Sequence, residues 1–396
     1  MASNERENAR RERQRKNDAK TKKIIWGILI GVVIILIIMK ICEVDFNSLK
    51  NRFTDADGHF TLALTTDETA YPLTLDTSQN VKVNVTNDKL NVLTATSVSV
   101  INPTNAKVLY KFDHGYSNPM IRYAGSYYCL YDQGSTRLRL DNAKGNEYET
   151  TTDNPILTAD VCKNGTVAYA TRSSDEKSTL YVYDNQLNQK LVYDENDGYI
   201  VSVAIDPSGK KCAFAAISSA NGQIVTTVYT INVGSDKPIA SFEYADTNLI
   251  NMKYANSSDL YFVGDDCLSI ISKQEKETKV YEKDSVSTVN YCYTDDNQLV
   301  YIYSKYAESD ACTMEYITSS GKVKTSVDLA EKVKYVSSTS NEACVLFDGR
   351  AETYSITKGE LKGTYTCPED TMSVHKLSSR VYINRQQLIE LINDKE

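Results

Sequence analysis

The chain has 396 residues, 24% of them charged, and a formal net charge of −8. Its first 23 residues hold nine Lys and Arg against four acids, so this +5 tail leaves −13 for everything after it. An acidic body of that size argues against nucleic acid and against a second contact with an anionic bilayer, and its length is ample for one large core or two ordinary ones.

Residues 1–23, rich in Arg and Glu and without an apolar face, read as a disordered tail close to lipid headgroups. Ile24 to Met39 is a run of sixteen residues without a charge, and Ile41 to Val44 extends it past Lys40, whose stem can snorkel. Residues 24–44 are therefore long enough to span a bilayer. The basic flank before the run and Glu43 and Asp45 after it place the N-terminus in the cytoplasm and the rest outside. No small-x-small cleavage site follows, and Met39-Lys40-Ile41-Cys42 is a poor lipoprotein box, so the reading is an uncleaved single-pass signal anchor. Gly27 and Gly31 have the spacing by which two spans approach closely, which would give a weak dimer, although glycine is common in spans generally. Residues 45–59 form a polar juxtamembrane linker.

From 60 to 396 the pattern is all-β. Short runs of Val, Ile, Tyr and Thr alternate with Asn, Asp, Gly and Ser turns, and 28 tyrosines against eight Phe and one Trp fit pleated, half-buried surfaces. A polar turn followed by an apolar strand recurs eight times: LNVLTA, YYCLYD, TVAYA, KCAFAA, LYFVG, LVYIY, ACVLF and VYIN. Their centres lie about 36 to 48 residues apart, the period of four-stranded propeller blades. The expectation is a β-propeller of eight blades, with seven as the alternative. The last copy has three strands, MSVHKL, RVYIN and QQLIELI, and the early strand YPLTL at 71–75 would complete it, joining both chain ends in one sheet. The blade at 246–283 is the least regular, because the charged run at 273–279 interrupts its alternation.

Nine cysteines stand alone, mostly inside strands, without CxxC or Cys/His spacing. An odd number excludes a fully paired framework within one chain. Buried free thiols acting as small apolar fillers are the expected state, which in an exported protein implies an oxygen-poor habitat.

The segment AIDPSGKKCAFAA (204–216) is similar to the repeat of bacterial propellers of the translocation-protein and WD40-like type. FDHGYSNP (112–119) and LYDQGSTRLRL (130–140), behind a basic tail and one span, resemble a family of membrane-anchored propellers from anaerobic Gram-positive bacteria of the clostridial group. The resemblance spans nearly the whole chain. It implies a fold and a location and supplies no reaction.

A search for catalytic motifs finds no GxSxG elbow, HExxH pair, Walker loop or GxGxxG turn, and His59, His114 and His375 lie far apart. AspAlaAspGly at 55–58 is a calcium-loop fragment without its distal ligand and reads as a turn. No catalytic residue, metal or cofactor is expected. The candidate recognition surface is a strip of two loops, His114, Tyr116 and Asn118 in the first and Asp132, Gln133 and Arg137 in the second. Turn formation and contacts between blades would account for the same residues. Two functions from different classes follow: a noncatalytic scaffold for an envelope protein, peptide or glycan, or an envelope hydrolase or lyase working in the propeller channel. Convergence of acids or histidines on the inner strands would mark the second.

Overall fold

The computed structural model describes residues 70–75, 81–86, 88–142, 144–306 and 309–392. The tail, the anchor with Gly27 and Gly31, the linker and Cys42 lie outside the described residues. No helix among the described residues is long and apolar enough to cross a membrane.

The described strands form eight four-stranded antiparallel sheets. Seven are consecutive in the chain: blades I to VII comprise residues 82–113, 119–151, 156–195, 199–245, 249–281, 287–329 and 335–366. Blade VIII takes three strands from 371–392 and its fourth from Leu73–Thr74. The count is therefore eight, and the ring closes by mixing the two ends of the propeller. Leu73 pairs with Ile389 and Thr74 with Leu388. Tyr71 packs on Tyr382 with ring centroids 5.4 Å apart, and both hydroxyls donate to the carbonyl of Pro103 in blade I, at 2.8 and 3.0 Å. One knot of three residues thus joins the first strand, the last blade and the first blade.

Burial explains why the second strand of each blade is the legible one. It lies between two strands of its own sheet and between two neighbouring blades, so both faces must be apolar. Leu299–Ser304 is buried at every position, as is Val167–Thr171. Fourth strands are mostly exposed, as in Val108–Asp113 and Gly145–Thr151. The charged run at 273–279 is a turn with Lys273 and Gln274 at φ of 53° and 67°, followed by such an outer strand, Lys276–Tyr281. Blade V is as complete as the others, and its charges fall where solvent is expected.

First strands of neighbouring blades pack together around the centre, so each sheet runs outward in chain order. Turns after the first and third strands lie at one end of the sheets, termed the lower face. Turns after the second strand and the connectors between blades lie at the other, the upper face. The AIDPSGKK motif is a lower-face turn. Burial would raise the Asp206 carboxyl, but it accepts from Ser208 Oγ at 2.6 Å and from the amides of Ser208, Lys210 and Lys211 at 3.0, 2.8 and 2.7 Å, which bring it below its ordinary value. The eight described cysteines are all free, seven of them buried and Cys292 half-buried.

Candidate functional site

The six residues of the strip do come together on the upper face, at the joint between blades I and II. Asp132 accepts from the amides of Ser117 and Asn118 at 3.1 and 2.7 Å, and the Gln133 amide donates to the Asn118 carbonyl at 3.0 Å. His114 Nδ1 accepts from the Tyr116 amide at 3.3 Å, which leaves Nε2 protonated to donate to the Thr94 carbonyl at 3.2 Å. Burial holds this histidine below its ordinary pKa, so it is neutral. Arg137 lies 4.7 Å over the Tyr116 ring and pairs with Glu149 at 2.8 Å.

Exposure divides the strip. His114, Tyr116 and Asp132 are 8%, 5% and 3% exposed and hold the joint. The same device recurs at other connectors, where Glu195 accepts from the amides of Asp197 and Gly198 and Asp265 from that of Asn248. Asn118 and Gln133 are exposed and Arg137 is half-buried. Gln133 donates to the Leu157 carbonyl at 2.9 Å and borders a cavity of about 290 Å³, shared with Pro155, Leu157 and Arg172.

A second feature of the upper face is invisible in the sequence pattern. The inner strands of blades III, IV, V, VI and VIII each slip by one residue against their neighbours. The residues left unpaired are Leu157, Val201, Ile250, Val289 and Met372, apolar in all five cases. A bulge inserts one extra residue and bends the strand, which re-aims the side chain there. Val289 packs into the core between blades VI and VII, and Leu157 lines the cavity. Val201, Ile250 and Met372 stand 41%, 42% and 55% exposed at the upper end of the inner strands, beside Tyr199 at 52%. Blade IV adds a lip: its second and third strands continue through the pairs Ser218–Val225, Ser219–Ile224 and Ala220–Gln223, beyond the inner strand's last pair at Tyr199. This hairpin rises roughly 10 Å above the sheet end and exposes Ile224 by 50%.

Below this collar lies the channel wall, made of eight strands: Lys82–Thr86, Pro119–Ala124, Ile156–Val161, Tyr199–Ile205, Leu249–Tyr254, Ser287–Tyr293, Tyr335–Ser338 and Thr371–Leu377. Asp160 is the sole carboxylate on these strands. Burial raises its pKa, opposed by a hydrogen bond from the Ile205 amide at 3.0 Å and by the charges of Arg122 and Lys253. Burial in turn lowers Lys253 to about 8, and its ammonium sits 4.4 Å over the Tyr293 ring. Tyr293 donates to Asn251 Oδ1 at 2.6 Å. His375 is the one histidine on these strands. Its Nε2 bonds Ser373 Oγ at 2.9 Å, its ring meets Tyr335 at 5.5 Å, and burial lowers it to about 4. One acid and one histidine engaged by its own strand do not make the paired carboxylates of glycoside hydrolysis or the base-and-orienter chain of acyl transfer. Among the described residues no group of three His, Cys, Asp or Glu could hold a metal ion.

The model of a family of unknown function, DUF5711, matches residues 64–393. The chain belongs to that family. The match takes in the closing strand at Leu73–Thr74 and all eight blades, so the whole ring is the DUF5711 unit. Among solved structures, the crystal structure of the C-terminal WD40 domain of Sif2 is similar with a TM-score of 0.57 at 11% identity, over 82% of this chain and 97% of that one. That likeness establishes the propeller fold. The crystal structure of BamB from Moraxella catarrhalis matches with a TM-score of 0.49 at 10% identity, over 81% of this chain and 98% of that one. No curated protein matches.

Arg122, Asp160 and Lys253 were not singled out by reading the sequence of this DUF5711 member. The signal was present as one charge inside an otherwise uncharged strand: PMIRYA, ILTADV and LINMKY. A charge on a buried strand must face a partner or a water-filled space, and in a propeller the inner strand offers the channel.

Proposed function

We propose that this protein is a noncatalytic binding module that receives a segment of an envelope protein on its upper face. In this reading residues 24–44 anchor it as a single-pass protein in the cell membrane of a Gram-positive cell, with residues 1–23 in the cytoplasm and the propeller outside. Gly27 and Gly31 would provide a weak contact between two anchors. The observation that carries the binding role is the collar: five inner strands bulge at one end, each with an apolar residue at the slip. Apolar side chains gain by leaving water, at about 25 cal/mol per Å², and exposed ones gathered round one opening mark an interaction site. Other exposed apolar residues, such as Leu109, Ile239 and Leu361, lie on outer strands. Asn118, Gln133 and Arg137 supply the polar flank of the same face, as an interface rim requires. A protein segment fits this surface better than a glycan, since aliphatic side chains offer a sugar no hydrogen bonds.

The test is photocrosslinking in living cells from single positions of the full chain. Probes at Val201, Ile250 and Met372 are expected to yield the same protein adduct, and probes at Leu187 on the lower face and Leu361 on an outer strand are not. Equal adducts from all five positions, or none from the collar, would overturn the reading.

A further inference from the structure

The cavity of about 290 Å³ at the joint between blades II and III is lined by Gln133, Gly134, Pro155, Ile156, Leu157 and Arg172. Arg172 ends the second strand of blade III, which places it at the upper face, and no other charged residue lines the cavity. Backbone bonds fix the wall. The Ile156 amide donates to the Ser135 carbonyl at 2.7 Å, the Gly134 amide to Ile156 at 2.8 Å and the Arg172 amide to Pro155 at 3.0 Å.

The guanidinium is the unmatched group in this setting. Arg137, Arg139, Arg350 and Arg385 each hold a carboxylate at 2.8, 2.7, 2.8 and 2.8 Å. Arg172 holds none among the described residues, and the carbonyls of Pro155, Ile156 and Leu157 beside it already accept bonds, the last from the Gln133 side chain at 2.9 Å. Its five N–H donors therefore serve a concave surface whose remaining wall is a proline, an isoleucine and a leucine. Hydrocarbon replaces part of the water that would screen the charge in the open, so an anion gains more here than on a convex surface. A carboxylate matches the guanidinium fork with two parallel bonds.

Size and position define what carries that carboxylate. Ligand clefts run from roughly 300 to 1,000 Å³, so this cavity holds one or two side chains. Leu157 is both a wall residue and one of the apolar residues at the slips, and Val201 is its counterpart on the inner strand of the next blade. Packed sheets lie roughly 10 Å apart, a distance that three residues of extended chain cover. Gln133, Gly134 and Arg172 are exposed, so a chain lying across Val201 can lower a side chain into the cavity without ending there.

We propose that this cavity receives an acidic side chain of the bound segment: an Asp or Glu sets its carboxylate on the Arg172 guanidinium while an adjacent aliphatic residue rests on Pro155 and Leu157. This deepens the binding reading above and depends on the upper face being the one that binds. The collar would supply apolar contact, and the cavity would fix register and direction.

The experiment uses the full chain in detergent micelles and a fluorescent nonapeptide of alternating valine and serine, blocked at both ends, with glutamate or glutamine at its centre. A third peptide has the central glutamine and a free C-terminus. Fluorescence anisotropy at low salt and pH 7 is expected to show the glutamate peptide binding at least about tenfold tighter than the blocked glutamine one. The free-terminus peptide should bind like the blocked glutamine peptide; parity with the glutamate peptide would overturn the side-chain assignment. Arg172→Gln should weaken the glutamate peptide to the level of the glutamine one, and Arg172→Lys should keep only part of the preference, since lysine is a point charge. Lys177→Gln removes a cation from the same upper-face turn that does not line the cavity and should leave the preference intact. Thermal transitions establish that each variant is folded, and the lysine variant decides the matter if the glutamine one is not. Equal affinity for the two blocked peptides, a preference that survives loss of Arg172 or falls equally with Lys177→Gln, or no binding of the glutamate peptide at about 1 mM would overturn the acidic-residue site. Val201→Asp should weaken all three peptides; that result beside equal affinities would leave the upper-face reading standing, and the crosslinks above judge that reading independently.

Discussion

Lys253→Met is expected to stabilise the propeller at pH 7. A lysine held at about 8 rather than its ordinary 10.5 carries about 3 kcal/mol against its charged form. Methionine has nearly the same length and removes that cost. It also loses the attraction to the Tyr293 ring, 4.4 Å away, worth roughly 1 kcal/mol. The balance is about 2 kcal/mol in favour of the variant. With roughly 2.1 cal/mol/K of unfolding entropy per residue over a ring of roughly 320 residues, this raises Tm by about 3 °C. The sign also depends on pH. Between pH 8 and 10.5 the unfolded chain keeps the lysine proton that the folded chain has released. The parent therefore gains stability as pH rises through that window, and the variant's advantage disappears near its upper end. Thermal unfolding of both full-length proteins in detergent micelles at pH 7 and at pH 10 checks this. A variant less stable at pH 7, or an advantage that does not shrink at pH 10, would refute the account of Lys253 as a desolvated, unmatched cation.

Three other perturbations test the frame around the channel. Ile389→Ala, at a fully buried position paired with Leu73, should cost about 3 kcal/mol, and removal of residues 377–396 should abolish the cooperative transition of the whole ring in a calorimetric scan. Asp132→Ala leaves the amides of Ser117 and Asn118 without their acceptor and should cost about 2 kcal/mol in denaturant unfolding; an unchanged midpoint would show that the clamp holds nothing. His375 is kept neutral by burial, at about 4 against 6.5 in the open chain. The unfolded state therefore binds a proton that the folded state refuses as pH falls between those values, and His375→Gln should flatten an acid-induced loss of up to about 3 kcal/mol seen in the parent.

The eight second strands could be read from the chain because burial on both faces leaves them mostly apolar, with polar residues such as Asn91, Asp132 and Asn384 as isolated exceptions, and a largely apolar run needs no partner to be recognised. Closure could be read from a deficit: the last copy lacked a strand, and YPLTL had no other place. The strip was harder. Its residues were found, but Asp132 and His114 serve backbone amides and carbonyls, and whether a polar side chain in a turn holds its own loop or faces a ligand depends on what lies within 3 Å of it. The inner strands were the least legible, since short mixed runs such as YVSS and STVNYCY fit a strand and a turn equally well.

What the sequence by itself determined is the repeat and the strand at 71–75 that joins the ends, because these follow from periodic burial along the chain; the choice of eight blades over seven was made by the sheets themselves. The collar and the channel charges were decided by the tertiary structure. A one-residue slip has meaning only against the strand beside it, and Arg122 and Lys253, 131 positions apart in the numbering, both act on Asp160 only because a closed ring turns each inner strand toward a common axis.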